Sequence, residues 1–266
     1  MTAYLRHTLA ANAPRTSLVA AALAAWGVLM PVIYATFGAD FRALVDAGLI
    51  PKPLLDYLGG DVLTPSSSVA LGVAHPISVF LKSLMPVGLG LYAVAGERQR
   101  GTLEVVLARP IARQAVHADV MIAIAVASAG AVGAELLGAV AGSFLVGAGG
   151  ALPLDRLALL WLDGALLYMA LGAVALLASV STDRLAPAAT AALIAIVVSY
   201  VADTLAQLWP DARGLGPWSL FHYLDARAVL AGTADPSDAL VLVTVVGVSV
   251  IAGRIVFARR DLAAPA

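Results

Sequence analysis

Few side chains in this sequence are equipped for chemistry, and they fall into two groups. The first is a run from Gly96 to Arg113, G-E-R-Q-R-G-T-L-E-V-V-L-A-R-P-I-A-R. Glu97, Arg98, Arg100, Glu104, Arg109 and Arg113 crowd into this island, and the chain is apolar for long distances on both sides. The second group is four ionisable residues set singly within apolar runs: Lys82, Glu135, Asp163 and Asp203. A charge in hydrocarbon is costly and normally faces a partner or a water-filled cavity. For Lys82 and Glu135 two readings stay open, a polar translocation path or a structural pair with each other. Asp163 and Asp203 read as snorkelling near the outer face.

What is missing is as informative. The only lysines are Lys52 and Lys82, preceded by Pro51 and Leu81. A phosphate-binding loop needs Gly-Lys followed by Ser or Thr, so this chain has no such loop with which to hydrolyse ATP. His7, His75, His117 and His222 lie on different segments and make no zinc spacing. With no cysteine there is neither disulfide nor thiolate chemistry. Neither G-x-S-x-G nor H-E-x-x-H occurs. No catalytic residue, metal site or resident cofactor is expected, and the formal net charge of -1 argues against nucleic acid as a partner.

The island carries its own punctuation. Gly101 suits the left-handed residue that ends a helix, and Thr102 is a good N-cap for the next one. Glu104 then falls in a first turn, where the helix dipole favours an acid. Leu103, Val106 and Leu107 recur at i, i+3 and i+4 and form one apolar face. Pro110 disfavours helix at Arg109 and closes the segment. The expected product is an amphipathic helix of about two turns, with a rigid exit, shaped to dock in a groove of a soluble partner.

These residues resemble the signature of type 2 ABC transporter permeases. In that family a glutamate, a Gly-Thr pair, leucines and a Pro followed closely by Arg lie on the first cytoplasmic loop. The match covers Glu97, Gly101, Thr102, Leu103, Glu104, Leu107, Pro110 and Arg113, with Arg100 inside it. The resemblance implies that this stretch is a coupling helix contacting a separate ATP-binding subunit, which binds the ATP and Mg. It also implies a second permease copy or paralogue around a central path, and export of a substrate that the sequence does not identify.

Elements must position these groups, and composition says which. The chain of 266 residues is 61% hydrophobic and 12% charged, against about 25% charged in soluble domains. The expected fold class is an all-α polytopic membrane protein, with six transmembrane helices and short amphipathic interfacial and coupling helices, in a single permease domain. Spans of about 20 apolar residues are expected at 16–37, 75–95, 115–147, 157–180, 185–208 and 239–257. Residues 1–15 read as an N-terminal interfacial helix rather than a cleaved leader. An outer-surface helix is expected within 38–74, and another over W-S-L-F-H-Y-L-D-A-R-A-V-L. Gly130, Ala134, Gly138 and Gly142 recur every four residues, a candidate ridge for close helix approach.

With six spans, ten basic residues fall on the island's side and five on the other. Positive residues favour the cytoplasm, so the island and both termini are expected there, in the cell membrane. The expected function is therefore the membrane subunit of an ATP-driven exporter. The alternative is a secondary transporter or channel that uses Glu135 and Lys82 for ion or proton coupling, supported by no visible inverted repeat. A membrane scaffold without transport is a third reading.

Overall fold

The computed structural model describes residues 2–51, 64–103 and 112–260. Among the described residues, eight α-helices of more than one turn run in the order α1 (Ala3–Asp46), α2 (Pro65–Ala74), α3 (Pro76–Leu91), α4 (Arg113–Leu145), α5 (Leu154–Ser181), α6 (Leu185–Leu208), α7 (Ala226–Ala231) and α8 (Pro236–Arg259). Helix α3 runs on through a π turn, Tyr92–Gly96, and a last turn, Glu97–Gln99. Six of these segments are long and apolar enough to cross a membrane: α1, α3 with its extension, α4, α5, α6 and α8. No strand occurs among the described residues. The chain is an all-α, multi-pass membrane protein.

Burial sorts the spans into two classes. Helices α3, α4 and α5 bury half or more of their apolar windows, whereas α1 and α6 bury only 17% of theirs. A helix apolar all round but exposed on most sides suits lipid. Phe37, Phe80, Leu137, Leu162, Leu193 and Val198 point outward accordingly. Two apolar clusters hold the centre. One gathers Val69, Val132, Leu136, Leu160, Leu167, Tyr168 and Leu242. The other gathers Val94, Leu103, Val116, Ile124, Leu176 and Phe257 at the island's end.

Several boundaries differ from the expectation. Residues 3–15 are helical but not separate, because α1 continues through Pro14 without a break. Its N-cap, Thr2, accepts the Leu5 N–H at 3.1 Å and donates to the Asp119 carboxylate on α4. The first part of the outer helix expected within 38–74 is likewise the end of α1, which stops at Asp46, and its expected resumption at Leu54, Leu55 and Leu58 lies outside the described residues. The expected helix over residues 218–230 is broken into pieces. Ser219 Oγ donates to the Ser199 carbonyl at 2.7 Å, and Ser199 Oγ accepts the Leu220 N–H at 2.7 Å. These bonds pin the turn to α6, and Asp225 then starts α7 by accepting the Arg227 and Ala228 N–H groups. Phe221, Ala226, Val229 and Leu230 are buried in the first cluster, so this segment plugs into the bundle instead of lying on it.

The glycine ridge is half real. A Cβ at Gly138 would collide with the Ala24 carbonyl of α1, and one at Gly142 would lie 2.6 Å from the Val28 carbonyl. Gly27 answers from α1 against the Glu135 backbone. Gly130, by contrast, faces open space. The close approach of α1 and α4 therefore belongs to the half of α4 that holds Glu135. Small residues allow this contact where lipid gives no hydrophobic drive for helices to associate.

Candidate functional site: a charged island and a buried ion pair

Helix α2 has ten residues, too few to cross a bilayer. Five of them, Ser68, Val69, Ala70, Gly72 and Val73, are buried. A helix ending inside a protein leaves its last carbonyls without intrahelical partners. In a membrane those groups must be satisfied from within the protein. Three side chains from three other helices do this. Trp26 Nε1 of α1 donates to the Gly72 carbonyl at 3.1 Å. Lys82 Nζ of α3 donates to the Val73 carbonyl at 2.9 Å. The Tyr200 hydroxyl of α6 donates to the Ala74 carbonyl at 3.4 Å. His75 separates α2 from α3, and its Nδ1 accepts the Ile77 N–H at 3.2 Å.

Lys82 is thus a cation at a helix C-terminus, the favourable end of the dipole. It is 0% exposed and Glu135 of α4 is 1% exposed. Lys82 Nζ lies 2.6 Å from Glu135 Oε2, and Glu135 Oε1 accepts the Ser78 hydroxyl at 2.5 Å. The ammonium also sits 5.2 Å from the Tyr168 ring centroid, within cation–π range. Every charged atom of the pair has a partner. Of the two readings left open by the sequence, the geometry is that of a pair. Ser78, Val73 and Tyr168, which complete it, carry no sequence signal, since a lone Ser or Tyr in an apolar run looks like filler.

Asp203 does not snorkel. It is 9% exposed, its Oδ2 accepts from Gln207 at 2.6 Å, and its Oδ1 lies 3.9 Å from His222 Nδ1. Asp163 is partly buried on α5.

At the other end of the bundle, the island begins as a continuation of α3. The π turn above it has an identifiable cause. In a regular helix the Ala95 N–H would bond the Leu91 carbonyl. Ser179 of α5 stands between them, its Oγ accepting the Ala95 N–H at 2.9 Å and donating to Leu91 at 2.8 Å. A side chain inserted into the ladder is a recognised origin of such a bulge. Three residues after the π turn the helix ends, at Gln99, on a two-bond glycine cap. Gly101 has φ +71°, its N–H bonds the Arg98 carbonyl at 3.0 Å, and the Thr102 N–H bonds the Glu97 carbonyl at 3.0 Å. The Thr102 hydroxyl turns back to the Glu97 carboxylate, which pairs with Arg100 at 3.3 Å.

Leu103 is 3% exposed and packs in the second cluster with Val94, Val116 and Phe257. It ties the island to its own bundle. Glu104, Leu107 and Pro110 lie outside the described residues. Arg113 opens α4 and donates to the Arg260 carbonyl at 3.1 Å. Asp183, in the loop between α5 and α6, collects Arg98 at 2.6 Å and also Arg260. Gln99 Oε1 accepts the Leu185 N–H at 3.2 Å. The start of α1, the island, the α5–α6 loop and the end of α8 therefore form one polar end of the molecule. The opposite-signed partner Asp183 is invisible in the motif because it comes from a loop 85 residues further on.

No protein-family model, curated protein or solved structure matches this chain.

Proposed function

We propose that this protein is the membrane subunit of an ATP-driven ABC exporter, with the island as its contact to a separate ATP-binding subunit. The observation that carries the reading is the island's attachment. Its motif residues Glu97, Gly101 and Thr102 form one capped turn, and the helix above is fixed in register by Ser179. A push at this turn is passed to α3 and α5 rather than absorbed by a slack loop. Buried Leu103 fastens the same turn to α4 and α8. ATP and Mg belong to the partner, and a second copy or paralogue would pack on the apolar faces of the outer helices. In this proposal the island end faces the cytoplasm.

The ion-coupled alternative loses its best groups, because Lys82 and Glu135 are engaged with each other in a site with no exposed charge. The test is co-expression with a P-loop ATPase encoded beside this chain. The expected result is a stable complex, with ATP hydrolysis that the chain alone lacks. Leu107→Asp should weaken that complex, because an unpaired charge in an apolar contact is costly. Cysteine at Gln99 should label only in opened cells. Hydrolysis by the isolated chain, external labelling at Gln99, or a complex indifferent to Leu107→Asp would each remove the proposal.

A further inference from the structure

At the end remote from the island, α2, α3, α5, α6, the irregular segment leading to α8 and the first turn of α8 line an open cavity of about 820 Å³. That lies within the range of small-molecule sites, about 300–1,000 Å³. Val79, Leu167, Tyr168 and Phe221 give it apolar and aromatic walls. Its charged lining is unbalanced: Asp203, Asp225, Asp235 and Asp238 stand against Arg213 and Arg227.

Two of these acids already serve helices. Asp225 Oδ1 accepts the Arg227 and Ala228 N–H groups at 2.9 and 3.0 Å, and Asp235 Oδ1 accepts the Ser237 N–H at 2.9 Å. Asp203 is different. It is nine-tenths buried, and Gln207 satisfies only one of its oxygens. The other, Oδ1, is buried with no hydrogen-bond donor. His222 Nδ1 at 3.9 Å is too far to donate. A buried carboxylate oxygen left without a donor is costly and calls for an explanation such as a missing water or ion.

The chemistry that completes this site is a positively charged N–H donor attached to an apolar body. The donor meets Oδ1 in a charge-assisted bond, the aromatic walls favour a cation, and the apolar surface takes the remainder. A bare metal ion fits worse, since no group of three or more His or acidic residues able to hold one occurs among the described residues. We infer that this cavity binds an amphipathic amine, a protonated primary or secondary amine on an aromatic or aliphatic body, with Asp203 as its anionic anchor. The site is built within one chain and does not depend on the proposed ATPase partner.

The test uses the full chain in phosphatidylcholine nanodiscs, with empty discs subtracted for partition into lipid. Three probes of one shape are titrated calorimetrically: 4-phenylbutylamine, 4-phenylbutanol and 4-phenylbutanoate. The amine should saturate one site per chain, and the alcohol and the acid should bind at least about tenfold more weakly. Asp203→Asn should bring amine affinity down to that of the alcohol and leave the alcohol unchanged. A second measurement needs no change at Asp203. In this cysteine-free chain, Thr204→Cys places a thiol on the cavity lining, and the amine but not the alcohol should slow its alkylation by a maleimide. Non-saturating amine binding, meaning that water alone satisfies Asp203, would overturn the inference. So would equal binding of amine and alcohol, or an Asp203→Asn variant that binds the amine as tightly as the parent. Tighter binding of the acid would assign the cavity to Arg213 and Arg227 instead. None of these outcomes bears on ATPase coupling, because no ATPase is present.

Discussion

Removing Lys82 strands two groups at once. Lys82→Met leaves the Glu135 carboxylate with the Ser78 hydroxyl alone and uncaps the Val73 carbonyl at the end of α2. Breaking one side of a buried ion pair costs about 3–5 kcal/mol, and a buried acceptor left unsatisfied adds about 1–3 kcal/mol. Glu135→Leu strands the ammonium in the same way, though Lys82 keeps the Val73 carbonyl. The double variant Lys82→Met/Glu135→Leu leaves no charge behind. Its loss reduces to the uncapped carbonyl and the Ser78 hydroxyl, about 1–3 kcal/mol each. The double variant should therefore be more stable than the sum of the singles predicts by at least about 3 kcal/mol. The assay is reversible unfolding by SDS in mixed micelles, followed by emission of the four tryptophans. Singles that each cost less than about 1 kcal/mol, the value for exposed pairs, would refute the structural pair. So would a double variant whose loss equals their sum.

Ser179→Ala removes the hydroxyl bridge and lets Ala95 bond Leu91 directly, so the turn below should rotate by about 100°, one residue of helix. A disulfide between cysteines at Gln99 and Leu185 should then form much less readily than with Ser179 present, and an unchanged yield would show that Ser179 does not set the register. Gly27→Ala and Gly138→Ala should each destabilise the bundle in the SDS assay by forcing α1 from α4. Gly130→Ala faces open space and should be neutral or stabilising by about 1 kcal/mol through helix propensity. Gly101→Ala places a Cβ at φ +71° and should cost about 1 kcal/mol, read as faster proteolysis at the island. Asp183→Asn removes the carboxylate that Arg98 and Arg260 share, but that carboxylate is 61% exposed, so the stability loss should stay below about 1 kcal/mol.

The spans were legible because hydrophobic length is nearly all that a membrane demands of a helix, and the six apolar runs coincide with six of the helices. Their ends were not. Asp40 and Arg42 read as the end of a span, but polar residues at the end of a span need not end the helix, and α1 carries on to Asp46. Residues 218–230 have the apolar spacing of one amphipathic helix. The Ser199–Ser219 contact and the Asp225 cap divide them, and neither is visible without knowing that α6 lies alongside. At the polar end the sequence showed Gly101 as a helix stop because positive φ selects glycine locally. It did not show Ser179 or Asp183, whose partners Leu91, Arg98 and Arg260 lie 88, 85 and 77 residues away. Lys82 and Glu135 stood out as charges in apolar runs. Their geometry came from α2, a buried half-length helix that read from its sequence as part of a surface segment.

The same pair constrains the order of assembly. Helix α3 with its extension has a mean hydropathy of 1.6, the lowest of the six spans, and α4 has 2.0. During synthesis Lys82 enters the membrane while Glu135, 53 residues later, is still unmade or in transit. Until α4 arrives, α3 holds an ammonium that lipid disfavours by about 3 kcal/mol, with the Val73 carbonyl of α2 as its hydrogen-bond partner and no counter-charge. Helices α3 and α4 should therefore become stable residents of the bilayer together, the earlier one waiting at the insertion machinery for the later. A ribosome stalled before Glu135 has emerged should leave α3 extractable from the membrane, and one stalled after α4 should leave it anchored.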